Sequence, residues 1–120
     1  MSPLQRFAEA LRGTRQAIEL APNDAEIANF AGDNFRICGA LDEALAWEQR
    51  AAEMDPLADF NQNDVSFILQ ERGRYREALD ASEHAIGIDP TYWTSYDSRA
   101  RSWLALGDPA RAAAELESLE

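Results

Sequence analysis

Residues 39–56 read GALDEALAWEQRAAEMDP, and residues 73–90 read GRYREALDASEHAIGIDP. Both segments begin with glycine, carry Glu-Ala-Leu at the same place and end with Asp-Pro, and they lie thirty-four residues apart. One further proline, Pro22, and one further glycine, Gly107, continue the same spacing on either side. A fixed period of this length predicts a chain built from tandem structural repeats.

The interval of thirty-four residues also arranges small and large side chains into columns. Helices cross closely only where their side chains are small, so the small columns predict the contact points between neighbouring helices. The large residues are expected to fill the space beside those contacts. The small columns are Ala10, Ala44, Ala78 and Ala112, then Ala17, Ala51 and Ala85, then Gly32, Ser66 and Ala100, and the large column is Phe35, Leu69 and Trp103.

Apolar residues recur at intervals of three and four along the chain, which is the period of an amphipathic helix. Gly39, Gly73 and Gly107 favour helix ends, because glycine adopts the left-handed cap conformation without steric cost. Asp108 followed by Pro109 is typical of a helix start. These patterns predict an all-α fold of about seven helices in antiparallel pairs, over residues 3–21, 25–38, 41–54, 58–72, 75–88, 92–106 and 109–120.

The chain has 120 residues, of which 46% are hydrophobic, and a formal net charge of −11 at pH 7. This size suits one domain over residues 1–120, and the apolar content is too high for a disordered chain. The acidic balance repels phosphate groups and anionic lipids, so we expect neither nucleic acid nor a membrane as a partner. A single cysteine, Cys38, and a start without a signal-peptide pattern predict a cytoplasmic protein.

Catalytic and metal-binding motifs are missing from the sequence. The chain has no glycine-rich phosphate loop, no HExxH motif and no paired cysteines, and His84 is its one histidine. Its twenty-two acidic residues are spread over the expected helix surfaces, which predicts accidental pairs rather than a tuned acid and base. We therefore expect no enzyme activity, no metal and no cofactor.

The columns resemble those of the tetratricopeptide repeat family over nearly the whole chain. The resemblance rests on Gly32, Ser66 and Ala100, on Gly39, Gly73 and Gly107, on Tyr75, on Ala44, Ala78, Ala112, Ala51 and Ala85, and on Pro56 and Pro90. The sequence departs from the family where Ala28, Gln62 and Tyr96 occupy its early tryptophan column and Glu48, Ser82 and Leu116 its late aromatic column. The resemblance implies a right-handed superhelical solenoid, with a half repeat at residues 3–22 and repeats at 25–56, 59–90 and 93–120.

The resemblance also implies that the first helix of each repeat lines a concave groove, which holds a peptide or a partner's helix. Asparagine suits such a groove because its amide both donates and accepts hydrogen bonds, as a peptide backbone does. For each single residue a solvated helix surface is the competing interpretation, and Phe67 also fits a core position between repeats. The expected groove residues are Asn29, Asp33, Arg36, Asn63, Asp64, Phe67, Gln70, Asp97 and Arg101, with Leu104 ending the last helix face.

One subset of the family binds a chaperone's carboxyl terminus with lysine, arginine and asparagine in fixed columns. The corresponding positions here are Asn29, Asp33, Asp64, Thr94 and Ser98, which include two carboxylates and no cation. Like charges would repel a terminal carboxylate. The expected partner is therefore a protein or peptide of basic or neutral polar character.

The first stretch, residues 3–21, resembles the second helix of a repeat whose first helix is missing. Phe7, Leu11 and Ile18 then face a place without a partner helix, although solenoid ends usually carry polar caps. A second interpretation is a self-association or regulatory module of a larger signalling protein or transcriptional regulator. In that case residues 3–21 pair two copies of the chain as a homodimer.

Overall fold

A computed structural model describes residues 2–118, which form seven α-helices and no strand. This confirms the expected all-α fold. Met1 and residues 119 and 120, which close the predicted third repeat, lie outside the described residues. The helices are α1 (Pro3–Leu20), α2 (Ala25–Ile37), α3 (Leu41–Met54), α4 (Asp59–Glu71), α5 (Tyr75–Ile88), α6 (Trp93–Ala105) and α7 (Pro109–Ser118).

Helix starts keep the period of the sequence. Helices α2, α4 and α6 begin at residues 25, 59 and 93, and α3, α5 and α7 begin at 41, 75 and 109. Apart from the end of α7, the predicted limits differ from the observed ones by one residue at most. Each extra residue, for example Cys38 or Arg72, is a cap. A cap residue continues the residue pattern of its helix but lies just outside the helical segment, so the pattern alone places the boundary one residue too far.

Three turns join first helices to second helices, and each uses a glycine with a positive φ: 81° at Gly39, 76° at Gly73 and 86° at Gly107. In each turn the residue after the glycine donates its N–H back to the third-last carbonyl of the helix, which is the Schellman arrangement. The bonds run from Ala40 to Phe35 (2.8 Å), from Arg74 to Leu69 (2.8 Å) and from Asp108 to Trp103 (2.9 Å). The predicted left-handed glycine caps are confirmed.

The chain divides into two compact units, Met1–Pro56 and Leu57–Glu120. In the first unit α2 packs against α1 and α3, and in the second unit α5 packs against α4 and α6, while α6 also contacts α4 and α7. Ala44, Ala51, Ala78 and Ala85 of the alanine columns are fully buried, as expected for contact points, whereas Ala10 on α1 belongs to the same predicted column and is exposed. None of the described helices is both long and apolar enough to cross a membrane.

Candidate functional site

The α2 helix holds three of the expected groove residues, and the structure gives them different surroundings. Asn29 is half-buried, and its Nδ2 donates a hydrogen bond of 2.8 Å to Oε2 of Glu48 on α3. Asp33 is accessible to solvent, and its carboxylate lies within 4.8 Å of the Glu48 carboxylate. Arg36 is exposed in the last turn of the helix. Asn29 therefore ties α2 to α3, whereas Asp33 and Arg36 reach the surface.

Glu48 is the fully buried acid behind this part of α2. A Cβ atom at Gly32 would overlap the Glu48 side chain, so the carboxyl group occupies space that only a glycine at position 32 leaves open. Glu48, which stands where the family has a late aromatic residue, thus fits because Gly32 opposite it has no side chain. This packing places a second carboxyl group within 4.8 Å of the accessible Asp33 carboxylate.

The outward side of α2 also carries apolar residues that the groove pattern missed. Phe30 is 50% exposed and Ile37 is 70% exposed, and Glu26 is exposed at the start of the same helix. Residues 26, 30, 33 and 37 follow one another at intervals of four, three and four, so they share one helix face. We call Glu26, Phe30, Asp33 and Ile37 the α2 stripe.

On α4 the expected groove residues lie mostly at packed positions. Asn63 is buried, and Asp64 and Phe67 are half-buried. Gln70 is half-buried as well, and its Nε2 donates to the Ser98 carbonyl at 2.8 Å and to the Ser102 hydroxyl at 3.0 Å, both on α6. Gln70 therefore holds α4 to α6.

The Gln70 bonds belong to a buried polar network in the second unit. The hydroxyl groups of Ser66 and Ser98 lie 2.5 Å apart, and the Ser66 hydroxyl also bonds the Ala78 carbonyl at 2.8 Å. Ser98 and Ser102 are fully buried, so these polar residues of α6 are part of the helix packing. Polar groups tolerate such burial because they satisfy one another.

The other side of α6 faces solvent. Trp93 is 65% exposed and Leu104 is 60% exposed, and between them Asp97 accepts a hydrogen bond of 2.9 Å from Nε of Arg101. These four residues share one helix face because they are spaced by four, four and three. We call Trp93, Asp97, Arg101 and Leu104 the α6 stripe. It presents an ion pair between two exposed apolar groups.

The carboxyl groups of Asp89 and Glu77 have lowered pKa values, and they lie at the two ends of α5. The hydrogen bonds donated by the Thr91 hydroxyl (2.6 Å) and the Thr91 N–H (2.9 Å) lower the pKa of Asp89. The hydrogen bonds from Arg74, with help from its charge, lower the pKa of Glu77. These groups stay ionised at neutral pH and stabilise turns and helix starts.

The α1 helix is the least buried of the described helices in its unit. Thr14 is its one buried residue, with its hydroxyl donating to the Ala10 carbonyl at 2.8 Å and accepting from Asn34 Nδ2 at 3.1 Å. Leu4, Phe7 and Leu20 are exposed. The α1 helix thus carries an apolar surface that no described side chain covers fully.

The period of the helices and their small packing residues define a helical-repeat protein. No family model matches the chain. Tetratricopeptide repeat protein 7B of Homo sapiens is 26% identical over 105 residues, which are 88% of this chain and 12% of that protein. The small glutamine-rich tetratricopeptide repeat-containing protein 2 of Mycosarcoma maydis is 27% identical over 85 residues, which are 71% of this chain and 24% of that protein.

Solved structures agree with these relatives in fold. A crystal structure of MamA has a TM-score of 0.84 at 18% identity, covering 92% of this chain and 61% of that one. The first tetratricopeptide repeat domain of Spaghetti (RPAP3), bound to an HSP90 peptide, has a TM-score of 0.75 at 18% identity, covering 78% of this chain and 74% of that one. The resemblance to the tetratricopeptide repeat family is therefore confirmed. The chain spans about an eighth and a quarter of the lengths of the two curated relatives.

Proposed function

We propose that this chain is a non-catalytic scaffold that binds a peptide or a helix of another protein on the groove faces of its first helices, α2, α4 and α6. The α6 stripe is the observation that carries the proposal. Its serine side packs inward, and its other side exposes Trp93 and Leu104 around a solvent-facing ion pair. Exposed aromatic and arginine side chains are the residues that contribute most to polypeptide binding.

The RPAP3 domain, which has a similar fold and was solved with an HSP90 peptide, supports a role in binding other polypeptides. We propose a partner of basic or neutral polar character, because the chain carries a net charge of −11 and has no cation at positions 29, 33, 64, 94 and 98, where the carboxylate-binding subset of the family has its clamp. The proposal includes a cytoplasmic location, no nucleic-acid or membrane partner, and repeats at residues 25–56, 59–90 and 93–120. Asn29 and Gln70 would support the binding faces by fixing their helices.

A displayed library of random peptides of about twelve residues, panned against the whole chain, tests the proposal. We expect enriched peptides whose affinity falls at least tenfold when Trp93→Ala and Leu104→Ala are combined, roughly 1.4 kcal/mol. The matched control combines Leu57→Ala with Leu116→Ala, which removes exposed leucines from other surfaces of the same unit. No enriched peptide, or equal losses in both double variants, would contradict the proposal.

Self-association through α1 is a second candidate, favoured by the exposure of Leu4 and Phe7 on one side of a helix with one buried residue. Such a face is covered when two copies pair. Light scattering across a concentration series measures this, and a dimer lost in the Leu4→Ser, Phe7→Ser double variant supports it. A monomer at the highest concentrations contradicts it.

A further inference from the structure

The α2 stripe combines apolar and acidic side chains in a way that restricts what it can bind. Phe30 and Ile37 offer two exposed apolar groups, two helical turns apart or about 10 Å along the axis. Glu26 and Asp33 alternate with them along the same face. The opposite side of the helix is packed, since Ala28, Ala31 and Phe35 are buried. The stripe is therefore the solvent side of a firmly held helix.

The electrostatics of this face favour a cation. The Asp33 carboxylate lies within 4.8 Å of the Glu48 carboxylate, which is fully buried and bonded by the Asn29 amide. A positive group that meets Asp33 from solvent is attracted by its carboxylate, and the exposed Glu26 carboxylate, two helical turns away on the same face, adds a charge of the same sign. The charge of the whole chain, −11, acts in the same direction over longer distances.

We propose that the α2 stripe binds a basic amphipathic helix of another protein. One arginine or lysine of that helix pairs with Asp33, and two apolar residues, about two helical turns apart on either side of it, cover Phe30 and Ile37. Arginine fits Asp33 better than lysine because its planar fork donates two parallel hydrogen bonds to one carboxylate. The inference rests on the proposed function, because it assigns a partner class to one of the proposed binding helices.

The probe is a displayed library of alanine-rich helical peptides of about sixteen residues, randomised along one face. Panning against the whole chain is expected to enrich a basic residue between two apolar residues two turns apart. Asp33→Asn is expected to weaken the enriched peptides roughly tenfold, and the loss is expected to shrink at high salt because screening reduces the charge attraction. Combining Phe30→Ala with Ile37→Ala is expected to weaken them by a similar factor at all salt concentrations.

Control variants separate this outcome from general effects of charge and exposed area. Asp80→Asn removes an exposed carboxylate from α5, and Leu57→Ala removes an exposed leucine, so both are expected to leave the affinity unchanged. The stripe variants change side chains at the surface, and equal urea midpoints for them and the wild type show that the fold is intact.

Two results would overturn the inference. The first is that the enriched peptides lack a basic residue. The second is that basic peptides bind the Asp33→Asn variant and the Phe30→Ala, Ile37→Ala double variant as tightly as the wild type, which would show that they do not bind the α2 stripe. If the unconstrained library still gives peptides that depend on Trp93 and Leu104, the proposed scaffold function survives that failure. If neither library gives a binding peptide, both the inference and the proposed function fail.

Discussion

Gly32 and Glu48 fit one another: the glycine on α2 leaves open the space that the buried carboxyl group of Glu48 on α3 fills. The small column of the repeat therefore has a specific task in the first unit. It admits an acid where the family has an aromatic residue, and Asn29 supplies a hydrogen bond to that acid. Neither position can change size without affecting the other.

Gly32→Ala is expected to destabilise the fold by about 1–3 kcal/mol, because the new methyl group must displace a fully buried side chain. Gly13→Ala is the matched control, since a Cβ at Gly13 meets nothing within 4 Å and alanine is the better helix former. Urea unfolding measures both. Equal effects of the two substitutions would show that the contact with Glu48 has no energetic weight.

Gly73→Ala is expected to cost about 1–2 kcal/mol, because the φ of 76° at this turn strains any residue with a Cβ. Gly87→Ala is the control. Gly87 lies in α5 with nothing within 4 Å of an added Cβ, so alanine is expected to stabilise the chain slightly. Thermal unfolding of both variants gives the comparison. A neutral Gly73→Ala would argue against the left-handed cap.

Gln70→Leu is expected to destabilise the second unit by about 1–3 kcal/mol, because it removes the α4 side chain that donates to the Ser98 carbonyl and to the Ser102 hydroxyl on α6. Gln49→Leu changes an exposed glutamine on α3 and serves as the control, with an expected effect near zero. Urea unfolding followed by hydrogen exchange of the α6 amides measures the loss. Unchanged exchange in α6 would mean that the network does not hold α4 to α6.

Asp89 is expected to titrate below the usual range of an aspartate, because the Thr91 hydroxyl and N–H bond its ionised form. A lowered pKa in the folded state stabilises the fold above the unfolded-state pKa, and this contribution disappears as the pH falls through the folded-state pKa. Thr91→Val removes the hydroxyl, so the pKa of Asp89 is expected to rise. Carbon-detected NMR titration of the carboxyl groups measures it, and identical midpoints in the two proteins would refute the assignment.

Helices and turns were predictable because their signals are local. The period of thirty-four residues and the cap glycines Gly39, Gly73 and Gly107 depend on backbone conformation, which neighbouring residues largely determine. The residual errors fall on caps such as Cys38 and Arg72, where the sequence gives no sharp boundary. The positions of the helix pairs along the chain follow from these signals.

The exposure of single side chains was harder to predict, because helical spacing gives a face without its exact rotation. Asn63 belongs to a groove face by spacing and is buried in the structure, whereas Phe30 and Ile37 look like core residues and are exposed. Hydropathy also misleads at Ser98 and Ser102, which are polar and fully buried because Gln70 bonds to them. Such cooperation between distant residues has no sequence signal.

The most direct test of the account is NMR mapping of a peptide selected by panning, titrated into the isotope-labelled chain. The account predicts that a peptide from the unconstrained library shifts backbone amide signals of α6, with Trp93 and Leu104 at the side-chain contacts. A peptide from the helical library is predicted to shift those of α2, with Phe30 and Asp33 at the contacts. Shifts confined to α3, α5 and α7, or to α1 alone, would contradict it.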